Sequence, residues 1–289
     1  MEHNARIQRI LRHDSLFPAT LASIPQEPSQ IFFVGSLQKN ARCCAIVGTR
    51  KASSSSVALA QKIASSLSQS GFVIVSGLAL GIDAAAHRAT LDAHGITLAV
   101  LGGGLDRIYP SIHRALASSI VTSGGCLISE YPPSTPHLKR NFLVRNRIIS
   151  GLSEIVIIIE APERSGSLST ALYAQKQGKK LFVVPGPSHT PHFRGSHLLI
   201  RNGARLVRDE KDILDDLSLP TTTDIIPRRK PFINDPLLKI FASSSDPLSF
   251  DKLLEITTLS AQELNRSLSS LVLEGKIEEL HGNKYRSIS

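Results

Sequence analysis

EIVIIIE, residues 154–160, decides the fold. Between its two glutamates run five apolar residues, all β-branched. A run without alternation marks a strand buried on both faces, as in a parallel sheet covered by helices on each side. Directly upstream lies HLKRNFLVRNRIISGLS, residues 137–153. Lys139, Arg140, Arg145 and Arg147 fall within nine residues there, with Phe142 among them and no acid from Tyr131 to Ser153. Four uncompensated cations beside the most apolar strand need a reason.

Working outward, the same theme repeats. CCAIVG (43–48), FVIVSG (72–77), ITLAVLGGG (96–104), GCLISE (125–130) and KKLFVVPG (179–186) read as further buried strands. ARLV (204–207) adds a short edge strand. Residues 57–71 carry apolar positions at helical spacing and stop at Gly71. Further helices are expected through IDAAAHRATLDAHG and SIHRALASS, and near 145–151, 167–178 and 195–202. The N-terminal MEHNARIQRILRHDS mixes charges with apolar residues; it has no secretory core and suggests a short amphipathic helix. Strands alternating with helices predict an extended α/β Rossmann-like domain with a mostly parallel sheet.

The domain limits follow from composition. Residues 1–40 read as an opening segment packing on a main domain of 41–217. Residues 218–234 are Thr- and Pro-rich and read as a linker. In 235–289, Asp235 precedes Pro236, Ser260 and Glu263 form a capping box, Gly275 ends a third helix, and a Gly-Asn turn joins two short strands. Three helices and a hairpin spell a winged helix.

The 289 residues carry a net charge of +9. Residues 235–289 hold six Lys/Arg against eight Asp/Glu, and residues 1–234 hold 27 against 16. The positive field therefore belongs to the large domain and favours a polyanionic partner. A net −2 winged helix is poorly suited to docking on duplex phosphates, so a protein-contact or dimer-tuning role is expected of it. No apolar run is long enough to span a membrane. Cys43, Cys44 and Cys126 form no pairing pattern, which suits a reduced, cytoplasmic protein.

In a parallel sheet, ligands sit beyond the carboxyl ends of the strands. Four Gly- or hydroxyl-rich loops fall there: Gly48-Thr49-Arg50, Ser76 to Asp83, Gly102-Gly103-Gly104, and Arg164-Ser165-Gly166-Ser167. Each leads to a helix N-terminus and together they point to an anion site. The first loop lacks G-x-G-x-x-G, and no Walker-type lysine loop occurs, so neither a dinucleotide nor a P-loop ATPase site is expected. Lys139, Arg140, Arg145 and Arg147 border the same edge in this reading, and Phe142 offers a flat face. Cations for backbone plus a ring for a base is a recipe for single-stranded nucleic acid. The competing reading buries Arg145 or Arg147 in ion pairs with Asp83, Glu130 or Glu160 and places Phe142 in the core. Asp83 is expected to orient its loop. No catalytic constellation, metal-ligand spacing or cofactor motif stands out; His87 and His113 have no spaced partner.

Beyond the residues themselves, AIVGTR, VSGLALGIDAAAH, GGGLDRIYP, RNRIISGLS, RSGSLSTALYA, VPG and RGSHLLIRNGA, in this order, resemble the DNA-processing protein A family (DprA, also called Smf). The resemblance covers roughly residues 14 to 214. Asn141-Phe142-Leu143 departs from it, since many members have Phe-Pro there. The resemblance implies a homodimeric, non-catalytic mediator that binds single-stranded DNA and loads the RecA recombinase in natural transformation, with single-strand-binding protein as a further partner. It implies that Gly48, Thr49 and Arg50 grip phosphate. Lys139 and Phe142 would contact backbone and base, and Ser165, Gly166, Ser167 and Thr170 would line the far side. For Arg145 and Arg147 it leaves open whether they touch DNA or brace the pocket. The alternative is a nucleotide hydrolase of the phosphoribohydrolase type; ERSGSLSTALYA lacks the glutamate expected to close the catalytic loop of such an enzyme.

Overall fold

The structure is a computed structural model and describes residues 6–38, 40–218, 236–242, 244, 246–273, 276–280 and 282–287. They divide into two compact units, one within residues 1–220 and one within 221–289.

The first unit opens with β1 (Gln8–Leu11), α1 (Ala19–Ala22) and β2 (Gln30–Gly35). Residues 8–11 are thus a strand, where a helix was expected. Ile10 alone of the four is buried, and it pairs with Ile31 in an antiparallel ladder. Alternating exposure with a pairing partner available outweighs a helical pattern that buries only one side chain. Then follow β3 (Cys43–Val47), α2 (Ser54–Gln69), β4 (Val73–Ser76), α3 (Ile82–Asp92), β5 (Thr97–Leu101), α4 (Arg114–Thr122) and β6 (Cys126–Ser129). The second half adds α5 (Lys139–Leu152), β7 (Ile155–Ile158), α6 (Ser167–Lys176), β8 (Lys180–Val183), α7 (Arg194–Arg201), β9 (Arg205–Leu206) and α8 (Glu210–Ser218).

The sheet runs β1-β2-β6-β5-β4-β3-β7-β8-β9. From β6 to β9 every pairing is parallel; β1 and β2 are antiparallel additions at one edge. The strands predicted as apolar runs are buried on both faces. Ala45, Val47, Val75, Val100, Val156 and Ile158 join one core with α1, α5, α6 and α7. Cys44, Ile46, Ile74, Ile155 and Ile157 join a second with α2, α3 and α8, and Ala99, Leu101 and Leu127 a third with α3 and α4. This is the doubly wound, mostly parallel arrangement that the sequence pattern predicts.

Helix α5 begins six residues before the expected start. It is the crossover from β6 to β7 and passes over β5, β4 and β3. It starts at the carboxyl rim of the sheet and runs down beneath it. Its first residues are therefore exposed, and Arg145 to Leu152 are all buried.

The second unit contains α9 (Pro236–Ala242), β10 (Leu248–Ser249), α10 (Phe250–Ile256), α11 (Ala261–Leu273), β11 (Ile277–Leu280) and β12 (Lys284–Ser287). Its core gathers Leu237, Phe241, Leu253, Leu264, Leu268, Leu271, Ile277 and Tyr285. Glu263 accepts from the backbone N–H of Ser260, and its own N–H donates to Ser260 Oγ, the reciprocal cap expected before α11. Gly282 and Asn283 turn the hairpin with positive φ. The linker assigned to 218–234, Asp235 and Gly275 lie outside the described residues, except for Ser218, which ends α8.

Candidate nucleic-acid interface

Strand order reverses between β3 and β7: β4, β5 and β6 lie to one side, β8 and β9 to the other. A crevice beyond the carboxyl ends at such a reversal is where this architecture binds ligands. Gly48-Thr49-Arg50 leaves β3 there and Glu160 leaves β7. The Thr49 N–H donates to the Glu160 carbonyl at 2.8 Å. The next loop is laid on the first. A Cβ on Gly81, whose φ is +75°, would stand 2.4 Å from the Thr49 carbonyl oxygen. A Cβ on Gly48 would stand 2.6 Å from Ile82 Cγ1. Thr49 is buried and its Oγ1 accepts from the Lys51 N–H, whereas Arg50 is exposed.

Helix α5 supplies the other wall. Lys139, Phe142 and Arg145 recur every three residues and share a helix face. Arg145 is 4% exposed and donates to the carbonyls of Gly77 and Val100. Burial lowers its pKa to about 10, with Asp83 opposing that fall and Arg50 adding to it, so it remains a cation at neutral pH. Burial raises the pKa of Asp83, opposed chiefly by the Arg145 charge. The Asp83 carboxylate accepts from the N–H groups of Gly77 and Ala79, the loop-orienting role expected of it. Arg147 is equally buried; it donates to Glu130 at 2.5 Å and to the Gln26 carbonyl at 2.7 Å. Both guanidiniums are therefore braces within the fold. For Arg147 the partner is Glu130; for Arg145 it is mainly backbone carbonyls, beside the Asp83 charge.

The glycine loops after β4 and β5 have a packing cause. A Cβ on Gly77 would meet Arg145 Nη1 at 2.4 Å, one on Gly102 would meet Phe142 Cδ1 at 2.9 Å, and one on Gly103 would meet His137 Nδ1 at 2.6 Å. Gly102, Gly103 and Gly104 are buried. Gly102 makes room for Phe142 of α5 and Gly103 for His137 just before the helix, so this loop is packed away from the surface where an anion loop was expected.

The ring of Phe142 ends up in an aromatic group. Tyr109 lies 5.5 Å and His137 6.0 Å from it, centroid to centroid. The Arg50 guanidinium stands 5.5 Å and that of Arg145 5.9 Å from its centroid. A cavity of about 40 Å³ opens between Arg50, Phe142, Arg145, Tyr109 and Leu80. Arg145, which lines it, has a buried Nε without a hydrogen-bond partner among the described residues. Arg50 and Phe142 are thus brought together, with Lys139 one turn up the same helix, exposed, and in no ion pair with a described residue. Sequence reasoning missed Tyr109 and His137. The signal for Tyr109 was its place at the end of GGGLDRIYP, on the same rim.

On the far side, Ser165 is half-buried and Gly166 exposed, while Ser167 and Thr170 are buried. The Ser165 and Ser167 hydroxyls bond each other at 2.7 Å. Asn146, which was not singled out, donates to the Gly166 carbonyl and to Ser169 Oγ and ties this loop to α5. Thr170, 1% exposed, faces the interior, which removes it from the surface a strand can reach.

At the N-terminus of α2 the protein supplies an anion of its own. Glu160, fully buried, accepts from the backbone N–H of Ser53 at 3.0 Å and from its hydroxyl at 2.8 Å. Its second oxygen meets His192 Nδ1 at 3.0 Å. Among the described residues no group of three His, Cys, Asp or Glu side chains is placed to hold a metal. His87 bonds Thr97 Oγ1 at 2.7 Å, and burial lowers its pKa to about 3, so it is neutral. His113 bonds the Leu78 carbonyl. Burial pushes the Cys43 and Cys126 thiols up to about 12, far from a nucleophile's range. No described helix is long and apolar enough to cross a membrane.

Comparison with known proteins agrees with this architecture. The family model described as DNA recombination-mediator protein A matches residues 8–218, and that of the DprA winged helix domain matches residues 236–283. The chain is 43% identical to Protein Smf of Escherichia coli over 202 residues, which are 70% of this chain and 54% of that protein. It is 33% identical to Protein Smf of Synechocystis over 99% of this chain and 81% of that one. The chain thus spans about half of the first relative and four fifths of the second. Among solved structures, DNA processing protein A of Streptococcus pneumoniae superposes with a TM-score of 0.69 at 37% identity, over 75% of this chain and 76% of that one. A DNA processing protein A of Helicobacter pylori, whose structure is described as giving insight into a single-stranded DNA binding mode, superposes with a TM-score of 0.66 at 30% identity, over 74% and 97%. Matched along most of its length, the chain belongs to the DNA recombination-mediator protein A family.

Proposed function

We propose that the first unit binds single-stranded DNA at the rim between Arg50 and α5, one base against Phe142 and flanking phosphates on Arg50 and Lys139. The observation that carries this is the pairing of an exposed guanidinium with an aromatic ring at the strand-order reversal. A ring and an exposed cation suit a nucleotide without reading its sequence. The cavity, at about 40 Å³, admits water but not a base, so Arg50 must swing off Phe142 as the base enters. Ser165 and Gly166 lie on the reachable far side. The family membership and the described binding mode of the Helicobacter pylori protein support the same reading.

The wider role we propose rests on the family membership: a cytoplasmic homodimer that acts without catalysis, hands single strands to RecA in natural transformation, and works around single-strand-binding protein. The second unit serves protein contact or dimer tuning. The test is an oligonucleotide titration at two salt concentrations with wild type and Arg50→Ala. Losing one phosphate contact should flatten the log–log salt slope by about 0.7 and weaken binding for every sequence. Unchanged affinity and slope would remove the site. Failure to stimulate RecA strand exchange would remove the wider role alone.

A further inference from the structure

The start of α2 is the position where a doubly wound sheet ordinarily receives the phosphate of a nucleotide, because the first helix after the reversal offers free N–H groups and the positive end of its dipole. Here that position is taken. Glu160 reaches across from the end of β7 and accepts from Ser53 N–H and Ser53 Oγ, while the Ser56 N–H is capped by Ser53 Oγ. The carboxylate is fully buried, and its other oxygen is held by His192. Burial alone would raise its pKa, but the hydrogen bonds from Ser56, Ser53 and His192 prevail and hold it below the ordinary glutamate value. It is a resident anion. The loop above it cannot open easily either, since Gly48 and Gly81 pack against Ile82 and the Thr49 carbonyl.

We propose that Glu160 is a specificity-determining residue: it fills the phosphate position of α2 with the protein's own carboxylate, and so restricts the rim to the internal phosphodiesters of a strand, against the phosphate monoesters of free nucleotides. The argument rests on the single-stranded DNA reading above. A phosphodiester carries one negative charge, and a monoester carries nearly two at neutral pH. Repulsion from a fixed carboxylate grows with that charge. With Glu160 at the helix end, the exposed Arg50 and Lys139 are the cations a strand meets as it passes over the surface. A free nucleotide would have to compete with Glu160 for the Ser53 N–H and hydroxyl.

The experiment measures two ligands on the full chain: deoxythymidine monophosphate and an oligo-dT with a 5′-hydroxyl. Glu160→Gln keeps the shape and removes the charge; Glu160→Ala also empties the position. The expected result is that the affinity ratio of monophosphate to oligonucleotide rises roughly tenfold in a variant, the scale of an anion at a partly buried helix N-terminus. Thermal melts confirm that each variant is folded. A wild-type measurement guards against a variant that does not fold: adding a 5′-phosphate to the oligo-dT should not tighten its binding. An unchanged ratio in a folded variant, or clear tightening by a 5′-phosphate in wild type, overturns the role of Glu160 alone. Absence of oligonucleotide binding in wild type takes down the single-stranded DNA reading and this inference together.

Discussion

The two ends of α5 carry the same chemistry to opposite fates. Lys139 and Arg140 stand in the first turn, exposed, in no ion pair with a described residue. Arg145 and Arg147, about two turns later, are each 4% exposed and bound to carbonyls and to Glu130. The helix runs from the sheet's rim to its underside, and that slope alone separates cations available to a partner from cations spent on the fold. A cluster of charge in a sequence therefore names a region, and burial decides which members can act. Phe142 sits at the boundary, supported from below by Arg145 and covered from above by Arg50.

The largest expected effect tests the buried end. Arg145→Ala leaves the Asp83 carboxylate without its neighbouring cation and the carbonyls of Gly77 and Val100 without a donor. Removing one member of such a buried charged group costs about 3–5 kcal/mol. Denaturant unfolding should show that loss, and DNA binding should fall with it. A variant of wild-type stability would mean that Arg145 is not a brace, and the contrast between the two ends would collapse.

Next comes the boundary. Phe142→Ala should weaken oligonucleotide binding by about 1–3 kcal/mol, the range for losing one stacked base. Its effect on affinity should exceed its effect on stability, because the ring is only partly buried. Fluorescence anisotropy and a melt on the same samples separate the two. If stability falls more than affinity, the ring belongs to the core.

A titration probes the buried layer from a different direction. His87 lies beneath the rim on α3, fully buried, and burial first, then the charges of His113, Arg145 and Arg88, disfavour its protonation. Its pKa in the folded chain is about 3, against an ordinary value near 6.5. The unfolded chain therefore takes up a proton that the folded chain refuses. Stability contributed by the neutral ring is complete above pH 6.5 and is lost as the pH falls from there toward 3. The slope is about 1.4 kcal/mol per pH unit for one such group. Unfolding at pH 5.5 and 4.5, between the two pKa values, should show it, and the slope should shrink in His87→Gln. An unaltered slope in that variant would place the proton uptake elsewhere.

Much of this was legible in the residues. The parallel strands announced themselves because both faces are buried and leave no polar alternation, as in Ile155 to Ile159. The antiparallel β1 and β2 did not, since Gln8–Leu11 buries one residue and takes its structure from its partner. The start of α5 was hidden because Leu138 caps it without a side-chain hydrogen bond and its first turn has no acid, so the usual signals are missing. The candidate site was visible as a region and blurred in its members. The groups that bind Arg145 are carbonyls 68 and 45 residues away, and a carbonyl leaves no mark in a sequence. The same holds for Gly102 and Gly103, recognisable as loop glycines but not as the hollows for Phe142 and His137.

The smallest effect sharpens the comparison most. Lys139→Ala and Arg147→Ala remove one cation each from the same helix, eight residues apart. A side chain that meets a phosphate contributes about 0.7 to the salt slope for single strands, and one paired inside the protein contributes nothing. Lys139→Ala should therefore lower the slope by about that amount with little change in melting. Arg147→Ala should leave the slope as it is and lower stability, because Glu130 and the Gln26 carbonyl lose their donor. The two measurements cross only if position along α5 decides function. Should Arg147→Ala flatten the slope while Lys139→Ala does not, the strand would run beneath the helix, and the rim would not be its path.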